Sequence, residues 1–241
     1  MIDRTPEINT TPASGQASAL DSSAAPALPQ MTLFVCGPFG AGKSTVTRFI
    51  TDELAGRGHE VCTILLDEIG HELLASDKKL REILAASFGD EILDSSGQVD
   101  RSALAAVSFA DDVSQVALNA IMHPPILTCA VNRLAQHATA DFCVFEAPLP
   151  ISVLENTPGY GSEYLRQARE SGKVIAVMAP LDVRLQRVCD KGFTADDACA
   201  RMAVQPDEDV YLSCADVRLD NDNGLEALHR RTIELVNELC R

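Results

Sequence analysis

Gly37-Pro38-Phe39-Gly40-Ala41-Gly42-Lys43-Ser44-Thr45 follows the pattern G-x-x-x-x-G-K-[ST], and its reading decides the fold. Glycines at 37, 40 and 42 let the backbone curl until successive N–H groups converge on a phosphate. Lys43 is long enough to reach further phosphate oxygens, and the Ser44 hydroxyl is suited to ligating Mg2+. The helix that begins at Lys43 adds the positive end of its dipole. Gly37, Gly40, Ala41, Gly42, Lys43, Ser44 and Thr45 are therefore the candidate nucleotide-contacting residues, with Ser44 the candidate metal ligand. A plain glycine turn between strand and helix is the competing reading. Average composition produces the full pattern by chance in roughly one chain in a hundred of this length.

The flanks supply the context that the loop needs. Residues 31–36, Met-Thr-Leu-Phe-Val-Cys, form a short apolar run that reads as a buried strand. Beyond the loop, Val46, Phe49, Ile50 and Leu54 recur at helical spacing, closed by Gly56 and Gly58. A second strand is expected over Val61–Leu66, ending on Asp67. Helical patterning runs from Glu68 to Ala138, broken by a turn at Asp94-Ser95-Ser96-Gly97-Gln98. Three further strands are expected over 142–145, 174–178 and 216–219, with helices over 181–190, 194–204 and 225–240. Thr194 and Asp197 have the spacing of a helix cap. Strands separated by helices imply a parallel sheet flanked on both faces. The long helical stretch at about 68–138 exceeds a minimal crossover and is assigned to a subdomain covering a substrate.

Residues 1–30 are rich in Thr, Ser, Ala and Pro, and are expected to be a disordered tail ahead of one domain over 31–241. The 241-residue chain carries 35 acidic and 20 basic residues, a net charge of −15, which argues against a nucleic-acid partner. Its eight cysteines include no Cys-x-x-Cys pair, so Cys36 and Cys143 read as reduced core thiols rather than metal ligands. No run of eighteen apolar residues and no secretory leader is recognisable, so the expected setting is the cytoplasm, away from membranes.

The loop alone does not distinguish kinases from other nucleotide-binding proteins. Asp67, at the end of the second strand, stands where ligands of open α/β sheets gather, and could orient an acceptor hydroxyl; a helix N-cap is the plainer reading. Glu146, ending the third strand, is read first as a carboxylate exposed at a strand end and second as a group near Mg2+.

Further phrases then fall in an order that resembles the dephospho-CoA kinases. They are Leu65-Leu66-Asp67-Glu68-Ile69; then Phe88-Gly89, Ile92-Leu93, Gly97, Asp100-Arg101, Leu104 and Phe109; then His123-Pro124-Pro125-Ile126; and finally Arg201 to Gln205 and Ala215-Asp216 to Asn221. The resemblance spans about residues 32–239. It implies a P-loop kinase fold with a five-stranded parallel sheet, a helical acceptor-binding subdomain and a lid near 187–204. It implies ATP and Mg2+ as cofactors, and dephospho-CoA as the acceptor phosphorylated on its ribose 3′-hydroxyl. From the matched positions Asp67 would be the base and Arg101 would contact the acceptor. Arg184 or Arg187 would lie near the lid that closes over the phosphates, with Arg187 and Asn221 on the nucleotide side. His123 opens the matched His-Pro phrase, but its plainer reading, a residue that enters a helix or fixes the turn before Pro124, stays open. Leu65, Ser152, Lys191 and Tyr211 depart from the family pattern, as does the Pro38-Phe39 pair. Another small-molecule kinase, or a nucleotide-binding relative without transfer activity, remains an alternative reading.

Overall fold

The computed structural model describes residues 27–157 and 161–240. The expected tail over 1–30 lies, for residues 1–26, outside the described residues. By Gln30 the chain already lies on the body, its N–H donating to the Ala140 carbonyl at 3.1 Å.

Strand β1 (Met31–Cys36) leads through the loop into α1 (Lys43–Gly56), and β2 (Val61–Leu65) passes directly into α2 (Leu66–Ser76). Helices α3 (Lys78–Phe88), α4 (Arg101–Ser108) and α5 (Asp112–Gln136) follow before β3 (Phe142–Glu146). The chain continues through α6 (Ile151–Leu154), α7 (Ser162–Glu170), β4 (Lys173–Met178), α8 (Leu181–Asp190), α9 (Ala195–Ala203) and α10 (Glu208–Ser213). It closes with β5 (Val217–Asp220) and α11 (Gly224–Leu239). All strand pairs are parallel, in the order β2-β3-β1-β4-β5. The five-stranded parallel sheet and its flanking helices thus match the expected fold.

Alternation along β1 sorts the core into two layers. Leu33 and Val35 face Val46, Ile50 and Leu54 of α1 and Leu228 and Val236 of α11. Phe34 and Cys36 face the other way, into a cluster with Leu127, Val131 and Leu134 of α5 and Leu165 of α7. Burying side chains of this size stabilises the fold by roughly 1.5–3 kcal/mol each, before the cost of ordering. A third cluster, with Leu80, Leu84, Ile92, Leu104 and Met122, gives the helices between β2 and β3 a core of their own.

Caps explain several boundaries. Asp77, Asp100 and Asp111 accept N–H bonds at the starts of α3, α4 and α5. Thr194 accepts from Asp197 N–H at 3.1 Å, as its spacing suggests. Two expectations are corrected. Asp67 lies in the first turn of α2 rather than at the tip of β2, because β2 stops at Leu65. His123 does not sit in a turn: α5 runs on through Pro124 and Pro125. Leu127, Ala130, Val131 and Leu134 lie buried beyond the prolines, and that packing outweighs the lost backbone bonds. The sequence reading also omits α6, α7 and α10.

Candidate active site

A parallel sheet brings the C-terminal ends of its strands to one edge, and the candidate residues collect there. Cys36 leads into the loop, Leu65 into α2, and Asp220 is followed by Asn221. Glu146 ends β3, in register with Val35 of β1 and Leu65 of β2.

The loop is held by its surroundings as well as by glycine. Gly42 has φ 97° and starts α1; a Cβ there would collide with the Asn221 amide. Asn221 is buried and donates from Nδ2 to the Ala41 carbonyl at 2.8 Å. Arg187 donates to both the backbone and side-chain oxygens of Asn221, at 3.0 and 3.1 Å. Its second terminal nitrogen, Nη1, is buried without a partner among the described residues. Of the two arginines proposed for this region, Arg184 is committed elsewhere, to the Ala179 carbonyl and to Glu208. Arg184 still packs its backbone and Cβ against Gly40 of the loop, while Arg187 is the one whose guanidinium lies beside Gly42.

Lys43 is buried and, among the described residues, has only the Pro38 carbonyl as an acceptor, at 3.4 Å. Burial pushes its ammonium below the usual lysine range, while the fields of Asp67 and Glu146 pull in the opposite direction. Ser44 Oγ donates to Glu146 Oε1 at 2.8 Å. Glu146 is 7% exposed and its other oxygen, Oε2, is buried with no hydrogen-bond partner among the described residues. This corrects the first reading of Glu146 as an exposed strand-end carboxylate. An all-apolar strand ending in an acid was the available signal.

Exposed Asp67 lines two cavities. One, of about 470 Å3, also holds Arg101, His71, Phe109, Phe193 and Arg201. The other, of about 170 Å3, is walled by Leu118, Met122, Leu127 and Leu149 and reaches His123. Asp100 caps α4 and so places Arg101 at its first position. Burial and then the Arg101 charge push His71 below the usual imidazole range. Burial alone lowers His123. Arg201 enters this site although the sequence reading treats it only as part of a matched phrase.

The departures are accommodated differently. Leu65 is the residue before α2, and Lys191 lines a cavity of about 530 Å3 beside Arg201 and Phe193. Tyr211 is fully buried and donates to the Pro148 carbonyl at 2.9 Å, a core role that a lysine there could not fill unchanged. Ser152 is near enough to Cys214 to help hold that thiol below its ordinary range.

A sequence model of the dephospho-CoA kinases matches residues 31–227 of the chain. The chain belongs to the dephospho-CoA kinase family. Family membership makes it a kinase of the ATP-using, phosphotransferase class. The dephospho-CoA kinase of Corynebacterium glutamicum is 31% identical over 206 residues, covering 84% of this chain and 94% of that protein. The Streptomyces avermitilis enzyme of the same name is 34% identical over 196 residues, covering 81% and 87%. Among solved structures, a Thermus thermophilus protein matches with TM-score 0.62 at 26% identity, over 88% of this chain and 98% of that one. The dephospho-CoA kinase of Campylobacter jejuni matches in fold with TM-score 0.53 at 21% identity, covering 86% and 96%. The family resemblance read from the spaced motifs is thus borne out. Among the described residues, no helix is long and apolar enough to cross a membrane.

Proposed function

We propose that this family member transfers the γ-phosphoryl group of ATP to the ribose 3′-hydroxyl of dephospho-CoA, with the work divided between the two halves of the site. The observation that carries the reading is Asp67: it lines the cavity shared with Arg101 and its field reaches Lys43 in the loop. One carboxylate therefore faces both a phosphate cradle and an acceptor cavity.

The donor residues fit a nucleotide. Among the described residues, Lys43 is a buried ammonium without an anionic partner within ion-pair distance and Arg187 holds a buried unpartnered Nη1, and the loop N–H groups precede a helix start. They also fit Mg2+: the Ser44 hydroxyl lies beside Glu146, whose orphaned Oε2 suits a cation or the water that a cation carries. Ser44 would ligate the ion and Glu146 would support it from behind. When bound, Mg2+ supplies charge neutralisation on the phosphate oxygens.

Transfer then needs little covalent help from the protein. Lys43 and Arg187 offset charge on the moving group, and Asp67 accepts a hydrogen bond from the 3′-hydroxyl, holding its oxygen in line and receiving its proton. Arg101 holds the acceptor. Helices of about 68–138 cover it, and the lid at about 187–204 excludes water that would otherwise take the phosphoryl group.

The test is an ADP-release assay with dephospho-CoA beside adenosine and AMP, for the wild type and Asp67→Asn. Dephospho-CoA should be the fastest acceptor, and Asp67→Asn should lower kcat by about 10²–10⁴-fold while ATP affinity changes little. Faster release with AMP refutes the acceptor; near-normal turnover in Asp67→Asn refutes the base.

A further inference from the structure

Arg201 is half-buried on α9 and carries no hydrogen bond and no ion pair among the described residues. Its neighbours are rings. The guanidinium carbon lies 5.0 Å from the ring centre of Phe193, 5.3 Å from Phe109 and 6.0 Å from Phe39. Phe39 and Phe193 themselves meet edge-on at 5.3 Å. Ring faces attract a cation but do not consume its N–H donors as a carboxylate would. A planar group with five donors is thus fixed in place with those donors unspent.

Nearby charge sharpens the point. Arg101 lines the same cavity and likewise has no ion-pair partner among the described residues. The two guanidinium groups repel, and burial together with Arg101 lowers Arg201 from the usual arginine range. Asp67 and Asp197 act on Arg201 only from beyond ion-pair distance, and Asp197 accepts a 2.7 Å bond from the Thr194 hydroxyl. Lys191 adds a third cation to the adjoining cavity. In a chain of net charge −15, this locally positive wall suits a multiply charged anion held against Asp67.

We propose that Arg201 is a specificity-determining residue that binds the diphosphate of the acceptor, and that Phe39, Phe109 and Phe193 are the positioning residues that form its seat. The assignment rests on the dephospho-CoA reading above and deepens it. That acceptor carries a diphosphate between its adenosine and its pantetheine arm, two negative charges a short reach from the ribose. Adenosine carries none. The seat draws on three segments: Phe39 from the loop, Phe109 at the end of α4, and Phe193 between α8 and α9. Gln205 Oε1 accepts the Phe39 N–H at 2.7 Å and ties the segment after α9 to the loop. Acceptor affinity is thereby linked to the docking of α9 on the loop. The Pro38-Phe39 pair, a departure from the family loop, supplies one wall of the seat.

The experiment is steady-state kinetics of Arg201→Ala and Phe193→Leu with dephospho-CoA and adenosine as acceptors, together with calorimetric titration of dephospho-CoA without ATP. Arg201→Ala should raise the KM for dephospho-CoA by about 10- to 100-fold, the range for deleting charge-assisted hydrogen bonds. The kcat/KM preference for dephospho-CoA over adenosine should fall by the same factor, with the KM for ATP nearly unchanged. Phe193→Leu keeps the charge and loosens the seat, and should show the same pattern at about 3- to 10-fold. An unchanged preference ratio, or equal losses on both acceptors, overturns the assignment. Arg201-dependent binding of dephospho-CoA without CoA formation by the wild type would remove the transfer reading and leave the anion site standing. CoA formation by Arg201→Ala at wild-type KM would do the reverse.

Discussion

Glu146 shows what a single residue contributes at this edge of the sheet. Its Oε1 accepts the Ser44 hydroxyl while its Oε2 is buried and, among the described residues, unpartnered. Leaving such an oxygen without a donor costs about 1–3 kcal/mol, so the arrangement points to a bound state in which that oxygen is satisfied. Glu146→Gln keeps the size and the acceptor for Ser44 but removes the charge. The Mg2+ concentration at half-maximal activity should rise about 10- to 100-fold, read from an Mg2+ titration of ADP release at saturating substrates. An unshifted titration would leave Glu146 with no metal role. The local sequence shows a strand ending in an acid and nothing more. The neighbours that bury Glu146 arrive from β1 and β2, through pairings with Val35 and Leu65 that no local pattern encodes. Lys43 and Ser44 were legible because the loop motif encodes its own geometry over nine residues. Arg201 was not, because Phe39, Phe109 and Phe193 come from three distant segments.

At the scale of elements, β5 matters to the loop more than its four residues suggest. Asn221, just past its end, bridges the Ala41 carbonyl and Arg187 across 180 positions of sequence. Asn221→Ala removes a buried donor from the Ala41 carbonyl and the side-chain acceptor from Arg187. The expected cost is about 1–3 kcal/mol of stability, read by denaturant unfolding, with a several-fold higher KM for ATP and an unaltered KM for dephospho-CoA. Equal effects on both substrates would show that Asn221 supports the whole edge and not the loop. The strands and the long amphipathic helices were legible because their apolar spacing is continuous. The residues of α10 were not, since Tyr211 packs into the core from a segment of six residues, too short to show a period. Helix α5 was misread at its prolines for the opposite reason. A local stop signal was overridden by burial on both sides of it, Met122 before and Leu127 after.

For the whole molecule, the pH dependence of stability follows from two opposed contributions. A net charge of −15 makes the folded chain repel itself, and the repulsion grows as histidines and thiols lose protons at higher pH. Cys214 acts in the other direction. It is buried at the end of α10, where the Cys36 S–H above all, then Ser152 and the Arg169 charge, lower its pKa to about 6. The same contact and burial push Cys36 far upward, so Cys36 keeps its proton, while Cys214, when it carries its own, donates it to the Tyr211 carbonyl at 3.3 Å. Because the folded-state value of Cys214 lies below that of an unfolded thiol, its contribution is complete above about pH 8.5 and is lost as pH falls through about 6. Cys214→Ser keeps a small polar group that does not titrate. The stability difference between wild type and variant, from denaturant unfolding under reducing conditions, should therefore grow by about 1–3 kcal/mol between pH 6 and pH 8.5. Self-repulsion is common to both proteins and cancels in the difference. Salt at about 0.5 M should flatten the alkaline decline of each curve and leave the difference in place, since screening reaches exposed charges far more than a buried thiolate. Parallel pH profiles for the two proteins would show that the Cys36–Cys214 contact carries no charge. It would then be plain core packing between the strand that feeds the loop and the helix that follows α9.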